Sequence, residues 1–121
     1  MEDIKVYDGK CVLVTGGAGC IGSNLSRRLG EAGAHVIILD NLSSGYEWNI
    51  PVMENIEFIR GDILDDEILK RVYKERPDYV FHLAAHFANQ NSVDHPEEDL
   101  LVNGLGTLKV LEYAQLIGVE R

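Results

Sequence analysis

Four glycines fall within eight residues at Thr15-Gly16-Gly17-Ala18-Gly19-Cys20-Ile21-Gly22. Two spacings overlap: Gly16, Gly19 and Gly22 make G-x-x-G-x-x-G, and Gly17, Gly19 and Gly22 make G-x-G-x-x-G. A glycine in a regular element costs roughly 0.5–1 kcal/mol relative to alanine, so the cluster has to serve a tight turn or a close approach. The chemistry it suits is anion binding. One glycine allows the turn, one lets the backbone approach a pyrophosphate, and one lets a helix pack closely on a strand. The anion then sits on unpaired N–H groups at the positive end of the helix dipole. By itself the same pattern also describes a strand-to-helix turn with no ligand.

Carboxylates at two later positions bear on that choice. Asp40 ends an apolar run 18 residues after Gly22. There it would accept hydrogen bonds from both hydroxyls of an adenosine ribose and repel a 2′-phosphate, which favours NAD over NADP. Asn41, Ser43, Ser44 and Gly45 supply short polar groups beside the same ribose, or form an ordinary Asn/Ser turn. Asp62 would accept from an adenine amino group while Ile63 packs on the ring; taken alone, Asp62 is a turn aspartate.

The elements that must position these residues follow from periodicity. Apolar, β-branched runs predict strands over 11–15, 35–39, 56–60 and 79–83. Ile21, Leu25 and Leu29, four apart, predict a helix over 21–32, with Gly33 as its stop. A second helix runs from Asp65 or Asp66 to about residue 75, capped by aspartate. A third runs from about residue 97, after Pro96, to 117, before Gly118. Residues 41–55 and 85–95 are polar loops. Strands alternating with helices, and reading as near-continuous apolar runs, predict an α/β chain with a Rossmann-type parallel sheet and helices on both faces. The expected strand order is 3-2-1-4, a little over half of a dinucleotide-binding sheet. Residues 1–10 read as a loose leader before a partial dinucleotide-binding domain over 11–121.

The totals narrow the partners. A chain of 121 residues makes one domain. Its formal net charge of −9 opposes binding to a nucleic-acid backbone. No apolar run reaches the roughly 20 residues a membrane span needs. The acidic start, Met1-Glu2-Asp3-Ile4-Lys5, lacks signal-peptide features, so the expected location is cytoplasmic. Cys11 and Cys20 have neither metal nor redox spacing and are expected to be reduced. No metal site is expected.

Taken in order, Thr15-Gly16-x-x-Gly19-x-x-Gly22, Asp40-Asn41-Leu42-Ser43, Gly61-Asp62-Ile63 and His82-Leu83-Ala84-Ala85 resemble the extended short-chain dehydrogenase/reductases. The resemblance is strongest to the NAD-dependent nucleotide-sugar epimerases and dehydratases of the UDP-glucose 4-epimerase type. Pro96…Asn103-x-x-Gly106-Thr107 also looks like that family's fourth helix. The resemblance implies that Gly16, Gly19, Cys20, Ile21 and Gly22 form the pyrophosphate turn. It implies that Asp40, Asn41, Ser43, Ser44 and Gly45 hold the adenosine ribose, and that Asp62 and Ile63 contact adenine. It places Leu83, Ala84 and Ala85 under the nicotinamide ribose and Asn103 near the cofactor. Strand ends at the carboxyl edge are independently where ligands bind in open α/β sheets. His82 reads as a strand residue hydrogen-bonded internally.

Two departures limit the chemistry. Where such epimerases often carry a lysine just past the fourth strand, this chain has Phe87, beside His86 and ahead of Asn89-Gln90-Asn91-Ser92. The family's acid/base pair is Tyr-x-x-x-Lys, and the five tyrosines, Tyr7, Tyr46, Tyr73, Tyr79 and Tyr113, are followed four residues on by Cys11, Ile50, Pro77, Leu83 and Ile117. No catalytic residue is therefore expected in these 121 residues. The resemblance implies the first part of a longer enzyme, whose remaining part would hold the catalytic pair and most of the nucleotide-sugar site. A fourth strand left unpaired at its outer edge predicts self-association or a homodimer. A non-catalytic dinucleotide-binding module and an inactive fold fragment remain open.

Overall fold

The computed structural model describes residues 2–43, 45–84 and 96–121. Four strands, β1 (Cys11–Thr15), β2 (His35–Asp40), β3 (Ile56–Arg60) and β4 (Tyr79–His82), form one sheet of order β3-β2-β1-β4. All three pairings are parallel, with Thr15 opposite both Leu39 and His82, and Asp40 opposite Arg60. The predicted α/β architecture and strand order are therefore the observed ones. Parallel pairing sends every strand's carboxyl end to one edge, which is what brings the glycine turn, Asp40, Asp62 and Leu83 together.

β1 and β2 are almost wholly buried because they lie in the middle of the sheet and are covered on both faces. Alternate residues go to opposite sides. Leu13, Ile37, Leu39 and Ile59 face one core layer with Leu69, Val72, Tyr73 and Val110. Those four come from helix α2 (Asp66–Tyr73) and from the last helix of the chain. Val12, Val14, Val36 and Ile38 face the other layer with Leu29 of helix α1 (Cys20–Glu31). α2 starts where expected because the Asp65 carboxylate accepts from the Glu67 and Ile68 amides.

Three features differ from the sequence expectations. Residues 1–10 are not a loose leader: Glu2–Tyr7 form a 3-10 helix. Ile4 and Tyr7 pack against the second core layer, and the Tyr7 ring stands edge-on to Tyr79, 5.0 Å between centroids. The apolar side chains of so short a segment carry no periodic signal, yet burying them offsets the cost of ordering it. Second, the long helix is not uniform. It begins as α3 (Pro96–Asp99), widens into a π-helix over Leu100–Gly106, and resumes as α4 (Thr107–Ile117). A reading tuned to 3.6 residues per turn cannot register that change. Third, β4's outer edge is partly paired. Glu120 N–H donates to Asp78 O at 2.9 Å, and Val80 N–H donates to Arg121 O at 2.8 Å. Gly118, left-handed at φ 74°, turns the chain back to make this possible. Among the described residues no helix is long and apolar enough to cross a membrane, and no cluster of metal-ligating side chains occurs.

Candidate dinucleotide-binding edge

The glycine turn is built by contacts on either side of it. Gly16 is left-handed (φ 72°), and a Cβ there would lie 2.7 Å from Ala84 N. A Cβ on Gly22 would meet Gly16 O and lie 2.8 Å from Gly17 Cα. Both positions are glycine because the protein itself leaves no room. Gly19 is different. It is the N-cap of α1 with extended backbone, and a Cβ there would meet nothing nearer than Gly16 O at 3.4 Å. No side chain caps this helix, and no acidic residue occupies its first turn. Cys20 and Ile21 are exposed beside it. The turn therefore presents amide groups and open space to solvent at the positive end of a helix.

Asp40 is 8% exposed, yet its carboxylate is well partnered. One oxygen accepts from Ala18 N–H at 2.9 Å and the other from Leu42 N–H at 2.7 Å. The second bond holds Leu42 in a left-handed conformation, φ 62°, that a leucine rarely adopts. An aspartate at a strand end thus joins the glycine turn to the loop that follows β2. Each oxygen keeps a lone pair for a further donor.

Ala18 is the residue that sequence reasoning missed. It is fully buried, and while its N–H goes to Asp40, its carbonyl accepts from Tyr46 N–H at 3.3 Å and from Asn49 Nδ2 at 3.2 Å. Gly45 lies so close that a Cβ would fall 2.7 Å from Ala18 C. The loop is thereby pinned to the turn. Only the smallness of Ala18, among glycines, hinted at such crowding.

The next strand end joins the same network. Asn41 Oδ1 accepts from Ser43 N–H at 3.0 Å, and Asn41 Nδ2 reaches Asp62 Oδ2 at 3.4 Å. Asp62 Oδ1 accepts from Leu64 N–H at 2.9 Å. Asp62 and the loop that follows β2 are therefore neighbours. Ile63 is otherwise than expected: it is 4% exposed, and its side chain packs in the core, where a Cβ on Gly106 would lie 2.5 Å from Ile63 Cδ1. The face assigned to an adenine ring is spent on the protein's interior, which leaves the main chain of Ile63 as the part that a base would touch.

At the other end, Leu83 and Ala84 follow β4 directly against Gly16. Thr15 Oγ1 accepts from Leu83 N–H at 3.1 Å and from Ala84 N–H at 3.2 Å. Asn103 is exposed on the π-helical segment whose last residue, Gly106, packs on Ile63. Ser44 and Ala85 lie outside the described residues, as do His86, Phe87 and the amide-rich stretch 89–92. Cys11 and Cys20 are both free thiols.

Comparison with known proteins identifies the family. The model of the NAD dependent epimerase/dehydratase family matches residues 12–121. A UDP-glucose 4-epimerase of Mycolicibacterium smegmatis is 43% identical over 112 residues, which is 90% of this chain and 36% of the relative. An epimerase from Methanothermobacter thermautotrophicus is 81% identical in sequence. It superposes with a TM-score of 0.98, covering 100% of this chain and 36% of that one. The UDP-glucose 4-epimerase of Thermus thermophilus in complex with NAD is 43% identical with a TM-score of 0.84, over 90% of this chain and 35% of that one. The chain thus spans about a third of the length of the proteins it matches. It belongs to the NAD dependent epimerase/dehydratase family.

Proposed function

We propose that the carboxyl edge of this sheet binds NAD, and that the whole protein uses it to move a hydride reversibly from a nucleotide-sugar hydroxyl carbon during epimerisation or dehydration. One observation carries the cofactor reading. Gly19 is a glycine that the fold's own packing does not require, at the open N-terminus of a helix with no cap and no acid in its first turn. That is the space and polarity a pyrophosphate needs. Gly16, Gly19, Cys20, Ile21 and Gly22 would hold the pyrophosphate. Asp40, with Asn41, Ser43, Ser44 and Gly45 around it, would hold the adenosine ribose. Asp62 and the main chain of Ile63 would receive adenine, and Leu83, Ala84 and Ala85 would underlie the nicotinamide ribose, with Asn103 nearby.

Asp40 supports NAD over NADP. A carboxylate that is 8% exposed and fixed by two backbone donors cannot swing away from a 2′-phosphate. NAD, when bound, supplies the carbon that accepts and returns the hydride. The residues of this chain bind and orient it, and none of the five tyrosines is set four residues before a lysine to move a proton. Self-association belongs to the same proposal: Leu108, Leu111 and Leu116 are exposed on α4. Sedimentation of a strictly monomeric chain at high concentration would remove it.

Calorimetry of the 121-residue chain with NAD and with NADP tests the cofactor reading. Heat and a thermal shift with NAD, and much weaker effects with NADP, are expected. No response at millimolar NAD overturns it. Alkylation gives a local readout. Cys20 is exposed at the start of α1, whereas burial, helped by the Asp78 carboxylate, pushes the Cys11 thiol up to about 11. At neutral pH iodoacetamide should modify Cys20 and spare Cys11, and saturating NAD should slow the reaction at Cys20.

A further inference from the structure

His82 lies on β4 between two threonines. Thr15 Oγ1 is 2.7 Å from its Nδ1, and Thr107 Oγ1 is 3.0 Å from its Nε2. Thr15 Oγ1 accepts from the Ala84 N–H and shares the Leu83 N–H, which also donates to the Thr15 carbonyl at 3.0 Å. With those two donors on its lone pairs, the hydroxyl has its own hydrogen to give to His82 Nδ1. In that arrangement the imidazole is neutral, carries its proton on Nε2, and donates it to Thr107. The resulting relay runs from the strand end, through Thr15 and His82, to the first residue of α4, where the π-helical segment ends. Its components are distant in sequence: Thr15 and His82 are 67 positions apart, and His82 and Thr107 are 25 apart.

The relay sits where the site needs accuracy. Leu83 and Ala84 press on Gly16 so closely that a Cβ there would lie 2.7 Å from both Ala84 N and Leu83 C. If the Thr15 hydroxyl turns away, the Ala84 amide loses its acceptor and the Leu83 amide keeps only the Thr15 carbonyl, which loosens the strand end against the turn. His82 sets that rotation. Its own surroundings are a cleft of about 310 Å³ with Val80, Val110, Leu111 and Ala114 in its walls. Gln115 and Arg121 line it too, but among the described residues the ring's hydrogen bonds go to Thr15 and Thr107, which therefore orient it.

We infer that His82, as the Nε2–H tautomer, is a positioning residue for the dinucleotide site: it fixes the Thr15 hydroxyl from one side and Thr107 from the other, holding the Leu83–Ala84 strand end against the glycine turn and in step with the helix that carries Asn103. The inference rests on the NAD reading above, and its test separates the two.

Nitrogen-15 spectra of the 121-residue chain, with the His82 signal identified by its absence in His82→Asn, report the tautomer without any ligand. A neutral Nε2–H ring is expected; a neutral Nδ1–H ring overturns the inference. Calorimetry with NAD then compares Thr107→Val, which keeps the shape and removes the hydroxyl, with Thr107→Ser, which restores it. The loss of one such hydrogen bond predicts a Kd weaker by about fivefold to tenfold for the valine variant, with recovery in the serine variant and faster amide exchange at Leu83 and Ala84 in the valine variant alone. If the parent chain binds NAD and both variants bind it equally tightly, His82 positions nothing. If the parent chain takes up no NAD, the cofactor reading falls. The tautomer and the exchange rates at Leu83 and Ala84 then decide the relay: unchanged exchange in Thr107→Val overturns it. Thermal melting of each variant confirms that it is folded.

Discussion

The two ends of the proposed cofactor edge are organised by opposite means. Between β2 and β3 the structure is held by carboxylates: Asp40 accepts from Ala18 and Leu42, and Asp62 accepts from Leu64 and Asn41. Between β1 and β4 it is held by neutral groups, the hydroxyls of Thr15 and Thr107 and the imidazole of His82. A carboxylate satisfied by backbone N–H groups still has lone pairs to offer, so under the proposed reading the first end would both brace itself and receive sugar hydroxyls. The second end brings no charge to the edge. The contrast shows how one chain, with a net charge of −9, can gather carboxylates at one end of an edge and keep them away from the other.

The largest effect expected from breaking this contrast is at Asp40. Asp40→Ala leaves the Ala18 and Leu42 amides without their acceptor and should cost about 3 kcal/mol in denaturant titrations, along with most of the NAD affinity and the preference over NADP. Asp40→Asn retains one acceptor and should lose about half as much. An alanine variant as stable as the parent chain would mean that the carboxylate braces nothing.

A smaller loss is expected at the turn, and it separates folding from binding. Gly22→Ala forces a Cβ onto Gly16 O and Gly17 Cα and should cost about 1–3 kcal/mol. Gly19→Ala meets only a 3.4 Å contact, so stability should hardly change while NAD binding weakens. Equal stability losses in the two variants would erase the distinction between packing glycines and a ligand glycine.

The neutral end should reveal itself through pH. Burial holds His82 below the ordinary imidazole value of 6.5. Its neutral form is favoured by the fold, so its contribution is complete above about pH 6.5 and is lost as the pH falls, while the unfolded chain takes up a proton more readily. Arg121 lines the same cleft. The stability difference between the parent chain and His82→Asn should shrink as the pH is lowered from about 7.5 to about 5; a difference that grows would reverse the assignment. Last in size, Asn41→Ala removes two exposed contacts, from Ser43 N–H at 3.0 Å and to Asp62 at 3.4 Å, and should cost under about 1 kcal/mol in denaturant titrations.

Much of the fold was legible in the sequence because it rests on local pattern. The runs at 11–15 and 35–39 are apolar on both faces, and Asp65 caps a helix by its type alone. Asp40 was legible as a candidate site residue from its place at a strand end. Its structural work was not, because the Ala18 and Leu42 amides come to it only through tertiary contact. Ile63 shows the converse: an apolar residue beside a strand-end aspartate reads as a ring contact, yet the core and Gly106 already claim its side chain. The π-helical turn at Leu100–Gly106 and the docked Ile4 and Tyr7 were hidden for a related reason, since neither follows a period that a single segment displays.

The span of chain each end must close has a consequence for the order of assembly. Asp40 reaches Ala18 across 22 residues and Asn49 reaches Ala18 across 31, whereas His82 reaches Thr15 across 67. The entropy lost on closing a loop grows with the logarithm of its length, so the longer closure costs about 1 kcal/mol more than the shortest. The carboxylate end, which runs no further than Leu64, also lies wholly ahead of β4 in the chain. During synthesis its brace can form while β4 is still unmade, and the histidine relay then closes onto an edge already in place.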